Sequence, residues 1–168
     1  WQAEIGEGRA HPEEGRFAGS TLGIWHRETA ARPELVRWDG SWALEQQRLD
    51  PYHRTLLHRR PELEDEVGPV LVELESTRRC YVHGDLAPKN VLVGPSGRTI
   101  LDFEAGHLGD PALDLAFFLA FPVLCAVRWP ALEPELRTLL DGFLTGYAAQ
   151  AGELGGDPVR IARHTAAM

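Results

Sequence analysis

The chain has 168 residues, 43% of them apolar and 25% charged, with a net charge of −8 at pH 7. That balance describes one globular domain and excludes a disordered or collagen-like chain, and a domain this long buries roughly 70% of its unfolded surface without help from disulfide or metal. The acidic surface argues against a nucleic-acid partner; the longest apolar run, residues 115–127, is broken by Pro122 and falls short of the roughly 20 residues a membrane span needs, which argues against a membrane partner.

Residues 1–12 carry Gly, Pro and His and read as a loop or arriving linker. From Pro12 the pattern turns helical, with Phe17, Leu22 and Trp25 recurring near helical spacing through Ala30. Residues 31–41 contain Pro33, Asp39 and Gly40 and read as a connection. Residues 42–49 suggest a short helix, and Pro51 a second one with Leu56 and Leu57 facing inward. Across residues 62–78, Leu63, Val67, Val70, Leu71 and Leu74 make an apolar stripe at spacings of three and four. Gly68-Pro69 predicts a kink or restart there, and the acids Glu64, Asp65, Glu66, Glu73 and Glu75 read as the wet face.

Beyond this helix the residues become β-prone. Cys80-Tyr81-Val82, Val91-Leu92-Val93 and Thr99-Ile100-Leu101 suit strands, and Gly94-Pro95-Ser96-Gly97 makes the last two a hairpin. Asp110-Pro111 predicts a helix start, with Asp as N-cap and Pro at the first helical position. Pro122 is expected to kink or restart that helix. Residues 132–149 form a further helix with Leu136, Leu139, Leu140, Phe143 and Tyr147 inward, and residues 158–168 begin another that is still running at Met168. Cys80 and Cys125 stand outside any C-x-x-C pair and read as small buried hydrophobes, so a reducing cytoplasm is the simplest setting. Nothing in the sequence bears on oligomeric state.

The densest polar cluster flanks the hairpin. His83-Gly84-Asp85-Leu86-Ala87-Pro88-Lys89-Asn90 stands before it and Asp102-Phe103-Glu104 after it. Counting outward from the turn, Asn90 falls opposite Leu101 or, with a one-residue bulge, opposite Asp102. Asp85 sits in a loop bent by Gly84 and Pro88 and can fold back toward the same point. Two carboxylates and one amide oxygen then converge. Hard divalent cations take such oxygens, Mg²⁺ using one or two carboxylates plus phosphate oxygens. A carboxylate near the metal but off it can accept a proton from a hydroxyl. Together these groups suit phosphoryl transfer, which proceeds through positioning and charge neutralisation.

His-Gly-Asp-x-x-x-x-Asn, a hairpin and then Asp-Phe-Glu resemble the aminoglycoside phosphotransferase family, small-molecule kinases distantly similar to protein kinases with their H-R-D-x-x-x-x-N loop and D-F-G. Gly109-Asp110-Pro111-Ala112-Leu113-Asp114-Leu115-Ala116 resembles the family's next segment, and Leu22-Gly23-Ile24-Trp25-His26 weakly resembles its helix after the hinge. The resemblance implies an α+β, mostly helical fold: a protein-kinase-like C-terminal lobe whose short β-hairpin carries the catalytic residues. It implies Asp85 as catalytic base and Asn90 and Asp102 as Mg²⁺ ligands. His83 would brace the loop. Asp114 would accept hydrogen bonds from the catalytic-loop backbone, or else serve as a helix-dipole partner. Glu104 would support the metal or sit on a surface turn, and Lys89 would meet a phosphate or stay exposed.

The resemblance also marks what is missing. Gly6-x-Gly8 lacks a preceding strand, and Lys89, the sole lysine, is not in the place of the strand lysine of such kinases. The expectation is that the N-terminal lobe is absent, that residues 1–11 are a hinge or linker remnant, and that residues 12–168 are the catalytic and substrate-binding lobe, truncated at both ends. An apolar surface around Trp1 and Ile5 should then be exposed, and the isolated chain should have little kinase activity. The implied reaction moves the γ-phosphate of ATP, or GTP, with Mg²⁺ to a hydroxyl of a small molecule resembling an aminoglycoside, a sugar or an amino alcohol. Glu133, Glu135 and Asp141 would greet a cationic substrate or form a solvated face. The alternatives are a non-catalytic, pseudokinase-like binding module and a metal-dependent hydrolase, for which His107 is the only spare ligand nearby.

Overall fold

The structure, a computed structural model, describes residues 4, 5, 7, 9, 11–154 and 156–168. Its elements run α1 (Pro12–Ala30), a 3₁₀ segment (Pro33–Trp38), α2 (Ser41–Leu44), a π-helical segment (Glu45–Arg54), α3 (Thr55–Arg59), α4 (Glu64–Ser76), β1 (Cys80–Val82), β2 (Val91–Gly94), β3 (Gly97–Ile100), β4 (His107–Gly109), α5 (Pro111–Arg128), α6 (Glu133–Ala151) and α7 (Pro158–Ala166). The chain is therefore mostly helical with two small antiparallel strand pairs, the α+β class.

Helices α1 and α6 meet along glycines. Gly15, Gly19 and Gly23 of α1 lie on the carbonyls of Leu139, Phe143 and Tyr147, and a Cβ added at Gly19 would stand 2.0 Å from the Phe143 oxygen. Gly142 and Gly146 return the contact against Pro12 and Arg16. Spacing of four puts these glycines on one face, so the two backbones close to a separation no side chain would permit. The core then fills from several helices, with the Phe118 and Phe143 rings stacked 3.9 Å apart.

Helix α5 runs unbroken through Pro122, so the helix does not restart there. By length and composition it is apolar enough to cross a membrane, and 56% of it is buried inside this fold. Leu113, Leu115 and Phe118 are among the residues it gives to the core. The opening of α5 follows its residues: Pro111 stands in the first turn and Asp110 Oδ1 accepts from Ala112 N at 2.9 Å.

Other expectations need correction. Residues 41–59 form one helical stretch rather than two helices, with Pro51 inside the π-helical part. A wider turn reroutes the hydrogen bonds that a proline without an N–H cannot make. Helix α4 likewise continues through Gly68-Pro69, burying Val67, Val70 and Leu74. Residues 107–109 are strand β4, an element for which the sequence offers no assignment. Ile5 is not exposed but buried in the core, as an apolar side chain gains most by being; Trp1 lies outside the described residues. Cys80 and Cys125 are free and buried, and burial pushes both thiols up.

Candidate active site

Strands β1 and β4 pair Cys80 with Gly109, Tyr81 with Leu108 and Val82 with His107. This ladder clamps both ends of the segment that contains the polar cluster. Directly after β1 the chain turns at Gly84, whose φ is 78° and whose missing Cβ would fall 2.3 Å from the Ala105 carbonyl oxygen. Only glycine suits that turn and that approach.

The hairpin pairs Val91 with Ile100 through Gly94 with Gly97. Pairing extends one step outward, where the Leu101 amide donates to the Asn90 carbonyl at 2.9 Å. Asn90 therefore faces Leu101, and no bulge brings Asp102 opposite it. Asp102 follows with a φ of 69°, the one left-handed non-glycine among the described residues. Asp tolerates this conformation better than most residues, and such strain is held only where surrounding structure enforces it.

Asp85 is the hub of the loop. Its Oδ1 lies 2.9 Å from Arg48 Nη2 and its Oδ2 lies 2.8 Å from Lys89 Nζ. Asn90 Nδ2 donates to the Asp85 carbonyl at 2.8 Å and to Oδ2 at 3.1 Å. Asp85 and Asn90 are thus brought together directly. Lys89, half exposed, is paired rather than free. Asp102 and Glu104 are exposed on the neighbouring turn; Asp102 sits one residue past the position paired with Asn90, so the two Cα atoms are within about 9 Å.

His83 ties the loop to that turn. Its Nδ1 accepts from the Asp85 amide at 3.2 Å and its Nε2 donates to the Leu101 carbonyl at 2.9 Å. The ring also packs 4.6 Å from Phe103. Beneath it, Asp114 is fully buried. Its Oδ2 accepts from His83 N and its Oδ1 from Gly84 N, both at 2.7 Å. Burial pushes this carboxyl up, but the hydrogen bond and charge of His26, then His83, hold it below its ordinary value. His26 Nε2 lies 3.0 Å from Asp114 Oδ2, and its Nδ1 lies 2.9 Å from the Tyr147 hydroxyl, which donates to the Leu154 carbonyl at 3.2 Å. A buried polar chain thus runs from the end of α6 to the turn before Asp85.

Sequence reasoning missed Arg48. It comes from the π-helical segment, is buried, and donates through Nε to the Gly84 carbonyl as well as pairing with Asp85. Its guanidinium lies 4.9 Å from the Phe117 ring centre. Where the protein-kinase loop reads H-R-D this chain has Gly84, and a guanidinium reaches the aspartate from another helix. No local pattern marks Arg48; only the empty arginine position beside Asp85 hinted at it. His107, the spare ligand of the hydrolase alternative, is buried with Nδ1 on the Ala105 carbonyl at 2.9 Å, and burial pushes its pKa down.

Glu73 is not a wet-face acid. It pairs with Arg160, Arg163 and His164 of α7, and Arg160 also reaches Asp110 at the start of α5. Glu73, Asp110 and His164 lie close enough to hold an ion, but two guanidiniums already occupy their carboxylates, so the cluster reads as a clasp between α4, α5 and α7.

This polar loop at the hairpin mouth, braced by buried Asp114, lies within the residues that a family model matches. The model of the APH family, described as the phosphotransferase enzyme family, matches residues 5–158, and the chain belongs to that family. No curated protein matches the chain.

Proposed function

We propose that this chain is the protein-kinase-like catalytic lobe of a small-molecule kinase, moving the γ-phosphate of ATP, or GTP, to a hydroxyl with Mg²⁺. The observation that supports it most is the bond between Asp85 and Asn90 at the mouth of the hairpin, with strained, exposed Asp102 on the adjoining turn. The donor set suits the ion. Asn90 commits its Nδ2 to Asp85, so its amide oxygen is the atom left to coordinate, and Asp102 offers a solvent-facing carboxylate; both are hard oxygens. When bound, Mg²⁺ supplies charge neutralisation on the nucleotide phosphates.

The remaining work belongs to side chains of this chain. Asp85 accepts the proton of the acceptor hydroxyl. Arg48, His83 and Asn90 hold that carboxylate and its backbone in place from three sides. Asp114 fixes the two amides just before it. Lys89 swings from Asp85 to a phosphate oxygen as the nucleotide arrives. A cytoplasm, where ATP is abundant and both cysteines stay reduced, suits this reading.

The test is nucleotide binding followed by phosphotransfer, on the full-length gene product. A fluorescent ATP analogue should bind in a Mg²⁺-dependent manner, and Asp102→Ala should remove that dependence. Binding that ignores Mg²⁺ in wild type and variant alike favours the non-catalytic module instead.

A further inference from the structure

We infer that the acceptor alcohol carries an apolar, uncharged or anionic body, seated in the cavity beside Asp85; the inference deepens the kinase reading and rests on it. The cavity holds about 230 Å³ and is lined by Tyr52, Phe117, Phe121, Leu124 and Met168, with Ala87 and Lys89 of the catalytic loop closing one side. Lys89 connects it to the chemistry, since its Nζ lies 2.8 Å from Asp85 Oδ2. An alcohol anchored among these rings therefore presents its hydroxyl toward the proposed base.

The wall is built by helical spacing. Phe117, Ala120, Phe121 and Leu124 recur on one face of α5, while Leu113, Leu115 and Phe118 of the same helix enter the core. Tyr52 meets Phe117 edge to face at 6.3 Å, and the guanidinium of Arg48 lies 4.9 Å from the Phe117 ring centre. One ring lining the cavity is thus in contact with the same arginine that pairs with Asp85. A dry cavity of about 150 Å³ takes a benzene ring, so this one accommodates a ring with a short alkyl arm.

Charge decides against a polycationic acceptor. Among the described residues no carboxylate lines this cavity, and the one charged residue lining it is Lys89, a cation. The acids expected to greet a cation lie elsewhere: Glu133 is paired with Arg137 and lines a different groove, and Asp141 lines another between α5, α6 and α7. An ammonium group placed here would face Lys89, and Asp85, the acid beside it, is already paired with both Lys89 and Arg48.

The reaction balances simply. The acceptor O–H bond breaks and its proton passes to the Asp85 carboxylate. The acceptor oxygen bonds to the γ-phosphorus of the nucleotide. The bond from that phosphorus to the β,γ-bridging oxygen breaks, and ADP leaves with its electron pair.

Saturation-transfer NMR and phosphotransfer from radiolabelled ATP test this, with 2-phenylethanol as the apolar probe and kanamycin as the polycation. The full-length gene product should bind and phosphorylate 2-phenylethanol, and kanamycin should not displace it. Ala120→Leu, which fills the cavity, should weaken probe binding at least tenfold while Mg²⁺-nucleotide binding stays at the wild-type level. Leu124→Trp, at an exposed rim position, does the same if Ala120→Leu fails to fold. Displacement by kanamycin, absence of probe binding, or wild-type probe binding in the folded variants overturns the inference while nucleotide binding keeps the kinase reading standing. Loss of Mg²⁺-dependent nucleotide binding in the wild type overturns both.

Discussion

The two strand pairs of this molecule divide its labour. The β2–β3 hairpin joins sequence neighbours through a two-residue turn and is largely exposed, with Leu92 and Thr99 open to solvent. The β1–β4 pair joins segments far apart in the chain and buries Cys80, Val82, His107 and Gly109. The hairpin carries Asn90 at its mouth and Asp102 just beyond, whereas the buried pair carries no proposed catalytic group and holds the loop ends. Chemistry thus rides on a light ribbon that only needs to present polar groups, while a packed ladder and Asp114 below it supply the rigidity.

Four experiments break or sharpen that division. The largest effect is expected from Asp85→Asn, which should lower phosphotransfer roughly 10²–10⁴-fold with a native circular dichroism spectrum. Near-normal turnover would place the chemistry somewhere other than the hairpin mouth. Next comes Gly84→Ala, at the junction with the buried ladder. Its Cβ would meet the Ala105 carbonyl oxygen at 2.3 Å in a left-handed backbone, so urea unfolding should show a loss of about 3 kcal/mol or more.

A third experiment follows acid unfolding of the helical clasp behind the ladders. Burial pushes the Glu73 carboxyl up, but His164, Arg160 and Arg163 pull it down to about 2, from an ordinary 4.5. A carboxyl lowered by folding stabilises the protein above its ordinary pKa, and that contribution fades as pH falls from about 4.5 through about 2. Melting temperature followed against pH should therefore fall less steeply in Glu73→Gln than in the wild type across this window. Parallel curves would mean that the clasp bears no load. The smallest effect is expected at the hairpin turn. Gly97 has a φ of 127° with nothing within 4 Å of its missing Cβ, so Gly97→Ala should cost only its backbone strain, about 1–3 kcal/mol, with no clash added. A loss as large as that of Gly84→Ala would erase the distinction between ribbon and scaffold.

What could be read beforehand was local. Pro12, the Asp110-Pro111 cap, the stripe on α4 and the Gly94–Gly97 turn each act through residues within a turn or two, and each element formed close to where its residues placed it. Even the pairing of Asn90 with Leu101 was one of the two registers that counting outward from that turn allowed. Strand β4 escaped notice because His107-Leu108-Gly109 has little β character of its own and becomes a strand only against β1. The prolines at 51, 69 and 122 misled for the related reason that tertiary packing carries a helix across a lost hydrogen bond.

The residue types of the site, their order along the chain and the hairpin that separates them were determined by sequence alone, since motif and turn chemistry act over short separations. Tertiary structure alone decided that Arg48 reaches Asp85, that Glu73 clasps α7 rather than facing water, that Ile5 is covered, and that α5 turns one face to the core and another to a cavity beside the loop. Those outcomes depend on which distant surfaces meet, and a side chain has no partner, and no counter-charge, until the backbone around it has been folded into place.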